Sequence, residues 1–314
     1  MNISGEGSVT KVDSTKVVGR FRLGPRSTKG QRILIPILFL IVPLALLLVF
    51  TYLPVVNMVG YSFLKWDGFS KNREFVGLAN YVEIFTRPEL FRVFGVSIYY
   101  FVGSFVQMAL ALYFATILTF KIRGKNFFKG TLFFPYMING VAIGFIFLYF
   151  FKPEGVLDIL MNAVGLGEYT QLWLGNRDII NFSLAFVSVW RYMGLNFVLF
   201  LGAIQSIPSE IYEASDLDGA GRWQQFRYII LPSILPILGL SFILAIKGAL
   251  SVFEIPYIMT GGANGSATFV IQTVDMAFKF QKVGLASAMA VVLLVIILVV
   301  TWVQRLIFKE EGTV

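Results

Sequence analysis

The chain has 314 residues, 57% of them hydrophobic and only 14% charged, against roughly 45–50% and 25% in soluble domains, so it lacks the polar side chains to cover a soluble surface. It holds no cysteine and no histidine, which excludes disulfide frameworks, thiolate zinc and iron–sulfur sites, and hydrolases or zinc peptidases built on histidine. The formal charge of +8 does not point to nucleic acid, because Lys and Arg accumulate on the cytoplasmic loops of membrane proteins.

Residues 1–32 form a polar, basic tail carrying Lys11, Lys16, Arg20, Arg22, Arg26, Lys29 and Arg32. Then come charge-free runs, Ile33 to Leu64, Val93 to Phe120, Gly130 to Phe151 and Val283 to Gln304, each at least the ~20 residues a helix needs to cross the hydrocarbon core. Six spans are predicted, at about Ile33–Val59, Val93–Phe120, Phe127–Phe151, Ile179–Ile204, Ile229–Phe253 and Val283–Ile307. Only Arg191 interrupts the fourth and Lys247 the fifth. The first span is too long for the apolar core of a signal peptide and lacks a small-residue cleavage pattern, so it is read as retained. The expected fold is all-α and polytopic, with a six-span domain at 33–308 and a short C-terminus at 309–314.

Basic residues set the orientation. The second loop carries Lys121, Arg123, Lys125 and Lys129 without an acid, whereas the third, Lys152 to Asp178, has two basic and four acidic residues. By side, 15 Lys and Arg fall with the N-terminus and nine opposite. Both termini are therefore read as cytoplasmic, with loops one, three and five outside a cell membrane.

The loop at about 207–232 reads as a helix–turn–helix. Pro208 suits a first helical turn, Glu210 and Glu213 favour the helix N-terminus, and Asp218-Gly219 marks its end. A second short helix from about Gly221 to Tyr228 carries Trp223, Phe226 and Arg227, and Pro232 opens span five.

Glu213-Ala214-Ser215 with Asp218-Gly219-Ala220 resembles the "EAA" loop of permease subunits in binding-protein-dependent ATP-binding-cassette importers. The chain is most similar to the carbohydrate-uptake branch, the maltose and glycerol-3-phosphate type. Phe253 to Gly262, with Thr268 beyond it, resembles that branch's external Thr-Gly-Gly segment, and Arg123 to Pro135 resembles its lead-in to span three. The likeness runs from about residue 30 to 308. It departs at Ser215, a small-for-small change expected to preserve packing, and at Ala263-Asn264, where the family often has Gly-Pro. Loop three has no room for the large external domain of the maltose permease.

The resemblance implies that this loop docks into an ATPase subunit, with Glu213 as charged anchor, Ala214 and Asp218 in the motif, Gly219 as the turn, and Trp223 and Phe226 as apolar contacts. No G-x-x-x-x-G-K-[ST] occurs, so the chain has no phosphate-cradling loop of its own. No cofactor is expected in this chain; ATP and Mg would belong to a partner. The implied partners are a second homologous permease, two ATP-binding subunits and an extracytoplasmic solute-binding protein, besides the bilayer.

Arg191 and Lys247 are costly inside a membrane, roughly 2.5–3.5 kcal/mol each on insertion scales, and such residues face a bundle interior or wet cavity. Lys247 can also snorkel, and either cation can pair with Glu254 or Asp275. By resemblance, solute contacts fall on Ser188, Arg191, Tyr192 and Leu195 of span four and on Ala245, Gly248, Ala249 and Val252 of span five, beside Lys247. Each set lies on one helical face. Tyr192 offers an aromatic platform and Arg191 a planar donor fork, while small residues leave space or serve close helix packing. Such a lining suits an oligosaccharide, an acidic one included. The rival reading is half of an ion-coupled carrier. It would place an acid at midplane, whereas Glu254 reads as lying at a span's outer end.

Overall fold

A computed structural model describes residues 28–120 and 123–307. Of the basic tail, residues 1–27 lie outside the described residues, as does all of 309–314. The chain divides into two units, Met1–Val55 and Val56–Val314. In the first, α1 (Thr28–Leu47) leads into a π turn at Leu48–Tyr52, after which α2 (Leu53–Tyr61) begins. Pro54 has no N–H for the carbonyl four residues earlier, and the widened turn just ahead of it absorbs that loss.

The second unit holds a short antiparallel hairpin, β1 (Leu64–Lys65) with β2 (Glu74–Phe75), in the register Leu64↔Phe75. Asp67 turns it: its carboxylate accepts the backbone N–H groups of Ser70 at 2.8 Å and Phe69 at 2.9 Å, which hold its carboxyl below the ordinary value. After α3 (Ala79–Thr86) and α4 (Pro88–Phe91) come α5 (Phe94–Thr119), α6 (Lys125–Met137), α7 (Gly140–Phe151), α8 (Val156–Ala163) and α9 (Ile180–Gln205). The chain then forms α10 (Ser209–Leu217), α11 (Arg222–Gln225), α12 (Leu231–Leu250), α13 (Glu254–Thr260), α14 (Phe269–Val274) and α15 (Val283–Ile307). Among the described residues five helical stretches are long and apolar enough to cross a membrane, and α6 with α7, taken as one broken span, makes six.

Two boundaries differ from the sequence reading. Phe127–Phe151 is not one straight helix: α6 and α7 are bent by 96° at Ile138 and Asn139. Both residues are extended, with ψ of 137° and 136°, and the Asn139 side chain accepts from the Val141 N–H at 2.8 Å, starting a new helix. Hydropathy sums side chains and cannot register such a cap. Nor is the second loop helix separate. From Arg222 the helix passes through a π turn at Phe226–Ile230 directly into α12. Pro232 sits at the first turn after that widening, where its missing N–H is tolerated.

Three buried clusters hold the second unit together. Tyr100, Ile143, Phe147, Ile180, Leu184 and Ile255 join α5, α7, α9 and α13. Ala111, Ala115, Phe197, Phe200, Ile204, Ile230 and Ile234 join α5, α9 and the start of α12. Ile84, Leu90, Phe269, Leu285 and Met289 join α3, α4, α14 and α15. With lipid outside, helix association depends on close packing and small residues. Gly194 shows this: a Cβ there would lie 2.5 Å from the Leu132 carbonyl oxygen and 3.0 Å from Phe133 Cα. Because both neighbours are backbone, Gly194→Val must push α6 from α9. It is expected to destabilise by about 1–3 kcal/mol, read as a lower melting temperature of the purified protein.

Candidate functional site

The loop between α9 and α12 is built on a bonded turn. Helix α10 stops at Leu217; the Ala220 N–H returns to the Ser215 carbonyl at 2.9 Å and the Gly219 N–H to the Asp216 carbonyl at 3.1 Å. This pattern needs a left-handed residue, and Gly219 supplies it with φ +77°. Gln225, which the sequence reading passed over, locks the two helices together. It is buried, and its Nε2 donates to Ser215 Oγ at 2.9 Å and to Asp216 Oδ1 at 2.6 Å. Ser215 is therefore more than a small packing residue: its hydroxyl also donates to the Tyr212 carbonyl at 2.8 Å.

Both helices of this loop make contacts with the bundle. The Arg222 guanidinium lies 3.9 Å from the centroid of the Phe120 ring, at the end of α5. Tyr212 packs against the cluster of Phe197 and Ile204, and burial pushes its phenol above its ordinary pKa. The opposite face is open. Glu213, Ala214, Asp218 and Gly219 are exposed, as are Leu217 at 90% and Trp223 at 70%. Trp223 stacks on half-buried Phe226 with centroids 5.5 Å apart. Among the described residues no hydrogen bond or ion pair engages the Glu213 carboxylate. The loop is rigid on its inner side and presents a carboxylate and large apolar groups on its outer side.

The second constellation centres on Arg191. Its Nη1 donates to Glu254 Oε2 at 2.7 Å, and the two side chains are 12% and 40% exposed. Arg191 lies 11 positions beyond the first residue of α9, roughly 16 Å along its axis at 1.5 Å per residue. Glu254, the first residue of α13, reaches this depth because α12 ends at Leu250 and the chain turns before α13 begins. Reading Glu254 as an outer-end residue is thereby corrected. The break in span three meets the pair too. A Cβ on Gly140, the first residue of α7, would collide with the Glu254 carboxylate and the Arg191 guanidinium. Three elements thus converge on one ion pair, two of them at helix breaks.

Around it, the Arg191 guanidinium lies 5.2 Å from the Tyr192 ring centroid, and Tyr192 and Tyr136 have centroids 6.2 Å apart. Ser188 and Leu195 are half-buried on the same helix. Span five divides. Ala245 and Val252 are half-buried, Lys247 and Gly248 are exposed, and Ala249 is buried in the cluster of Tyr100 and Ile143. Lys247 makes no ion pair among the described residues. Glu254 was named from the sequence as a pairing option and as an acid at a span's outer end, and Tyr136 and Gly140 were not singled out. The Pro135–Gly140 segment was the available signal.

The Thr-Gly-Gly segment is also knit together. Gly261 and Gly262 have φ of +58° and +79°. The Thr260 and Ser266 hydroxyls are 2.7 Å apart, and Thr268 Oγ1 donates to the Val252 carbonyl at 2.7 Å. Asn264, at the departure from the family pattern, is left-handed with φ +54° and donates to the Leu174 carbonyl at 3.0 Å, joining loops three and five.

The family described as binding-protein-dependent transport system inner membrane component matches residues 107–310. The chain belongs to this family. It is therefore a multi-pass membrane component of a transport system. YurN of Bacillus subtilis (strain 168), a probable ABC transporter permease protein, is 38% identical over 286 residues, covering 89% of this chain and 98% of its own. MsmF of Streptococcus mutans serotype c, a multiple sugar-binding transport system permease protein, is 34% identical, covering 87% and 94%. NgcF of Streptomyces coelicolor, a diacetylchitobiose uptake system permease protein, is 32% identical, covering 91% and 87%. Among solved structures, a bacterial ABC transporter that imports the acidic polysaccharide alginate shares the fold, with a TM-score of 0.74 at 22% identity over 90% of this chain and 98% of its own.

Proposed function

We propose that this chain is one membrane subunit of an ATP-driven importer that moves a saccharide into the cytoplasm by alternating access. The observation that carries the reading is the α10–α11 loop: braced inside by Ser215, Asp216 and Gln225, it holds Glu213, Leu217 and Trp223 outward as a docking face. Family membership and the relatives named for sugars support the substrate class. The complete assembly adds a second permease, two ATP-binding subunits that hold ATP and Mg, and a solute-binding protein outside the membrane. Both termini lie in the cytoplasm, on the side richer in Lys and Arg.

Coupling to an ion gradient is the alternative, and Glu254, beside Arg191, is the acid such a carrier would use. A carboxylate already held by Arg191 at 2.7 Å is a poor site for repeated cation uptake and release. Proteoliposomes decide between them. Uptake of an oligosaccharide is expected only when all partners and internal ATP are present, and it should survive a protonophore. Uptake by vesicles holding this chain alone, or uptake abolished by the protonophore at constant ATP, would overturn the importer reading. Binding of nucleotide by the isolated chain would count equally against it.

A further inference from the structure

We infer that Glu254, not Arg191, is the member of the mid-membrane pair that meets the solute, and that the path selects neutral over anionic saccharides; this rests on the importer reading above. Exposure decides between the two side chains. Arg191 is 12% exposed and Glu254 is 40% exposed, so the guanidinium stands behind the carboxylate and the carboxylate faces the open side. Arg191 is then a positioning residue. Its Nη1 fixes one carboxylate oxygen, and its Nε is buried with no hydrogen-bond partner among the described residues, pointing to a group held in the wall rather than offered to a passing ligand.

The surroundings fit a neutral sugar. A carboxylate accepts hydrogen bonds from sugar hydroxyls. Tyr192, 37% exposed, and half-buried Tyr136 supply aromatic faces beside it. Neither Tyr136 nor Glu254 appears among the solute contacts implied by resemblance. An anionic saccharide entering here meets the Glu254 carboxylate, while the compensating Arg191 charge is already spent on that carboxylate. Removing the negative charge and leaving the positive one should therefore shift selectivity toward acids, a change that a merely structural pair would not produce.

The test uses proteoliposomes holding the whole complex with its binding protein, offered maltotriose and chitotriose as neutral probes and trigalacturonate as the anionic one. Wild type is expected to accumulate a neutral probe in preference to trigalacturonate. Glu254→Gln is expected to raise the half-saturation concentration for that neutral probe about tenfold, with the maximal rate within about twofold. Its trigalacturonate-to-neutral uptake ratio should rise at least fivefold. Glu254→Asp should recover part of the affinity. The double variant Arg191→Met with Glu254→Met keeps the space filled and should assemble, yet lose affinity without gaining acid preference. Preferential uptake of trigalacturonate by wild type would overturn the inference and leave saccharide import standing. So would an assembled Glu254→Gln complex with unchanged half-saturation and selectivity, or one lost together with the double variant. A wild-type complex that takes up none of the three probes counts against saccharide import itself, and the inference falls with it.

Discussion

Gly140→Ala is expected to lower the stability of the protein by about 2–3 kcal/mol. The added methyl group must occupy the space where the Arg191 guanidinium and the Glu254 carboxylate meet, so either the pair parts or α7 moves away. Breaking a fully buried pair costs roughly 3–5 kcal/mol, and the figure is reduced here because Glu254 is 40% exposed and its charge is partly screened. Gly202→Ala is the matching control. It lies inside α9, and nothing stands within 4 Å of its added Cβ, so replacing a helical glycine there should be neutral or stabilise by up to about 1 kcal/mol. Thermal unfolding of the two purified variants gives the comparison, and equal melting temperatures would sink the account of Gly140.

The spans were the legible part of the sequence. Val283–Ile307 is predicted and observed with identical ends, and Ile179–Ile204 is observed as Ile180–Gln205, because an apolar stretch long enough to cross, even one carrying a single charge, is a property of local composition. The break at Ile138 and Asn139 escaped for the same reason, although Pro135, Asn139 and Gly140 carry a cap signal that hydropathy ignores. In the α10–α11 loop the turn at Asp218-Gly219 was readable, since a glycine after an acidic helix end has few other uses. Gln225 was not, because its partners Ser215 and Asp216 lie across that turn. Arg191 announced itself by its cost in a membrane. Its partner lies 63 positions away, and which of the two faces open space is a matter of exposure, which no spacing encodes.

Glu213→Lys should uncouple ATP hydrolysis from transport while leaving this subunit folded. The carboxylate is exposed and takes part in no hydrogen bond or ion pair among the described residues, so reversing its charge removes nothing from the subunit's own structure. On the proposed importer reading, what changes is the docking face it would share with Leu217 and Trp223, where a positive charge set against a cation on the ATP-binding subunit would oppose the contact. Solute-stimulated ATP hydrolysis by the assembled complex is expected to fall at least about tenfold, equivalent to roughly 1.4 kcal/mol of lost coupling. Gln225→Leu separates docking from turn geometry. It strands the Ser215 hydroxyl and the Asp216 carboxylate, so it should lower the melting temperature of the isolated subunit, which Glu213→Lys should not. A Glu213→Lys complex that assembles and hydrolyses ATP like the wild type would remove this carboxylate from the docking face. A Glu213→Lys subunit that melts early would show instead that its role lies within the fold.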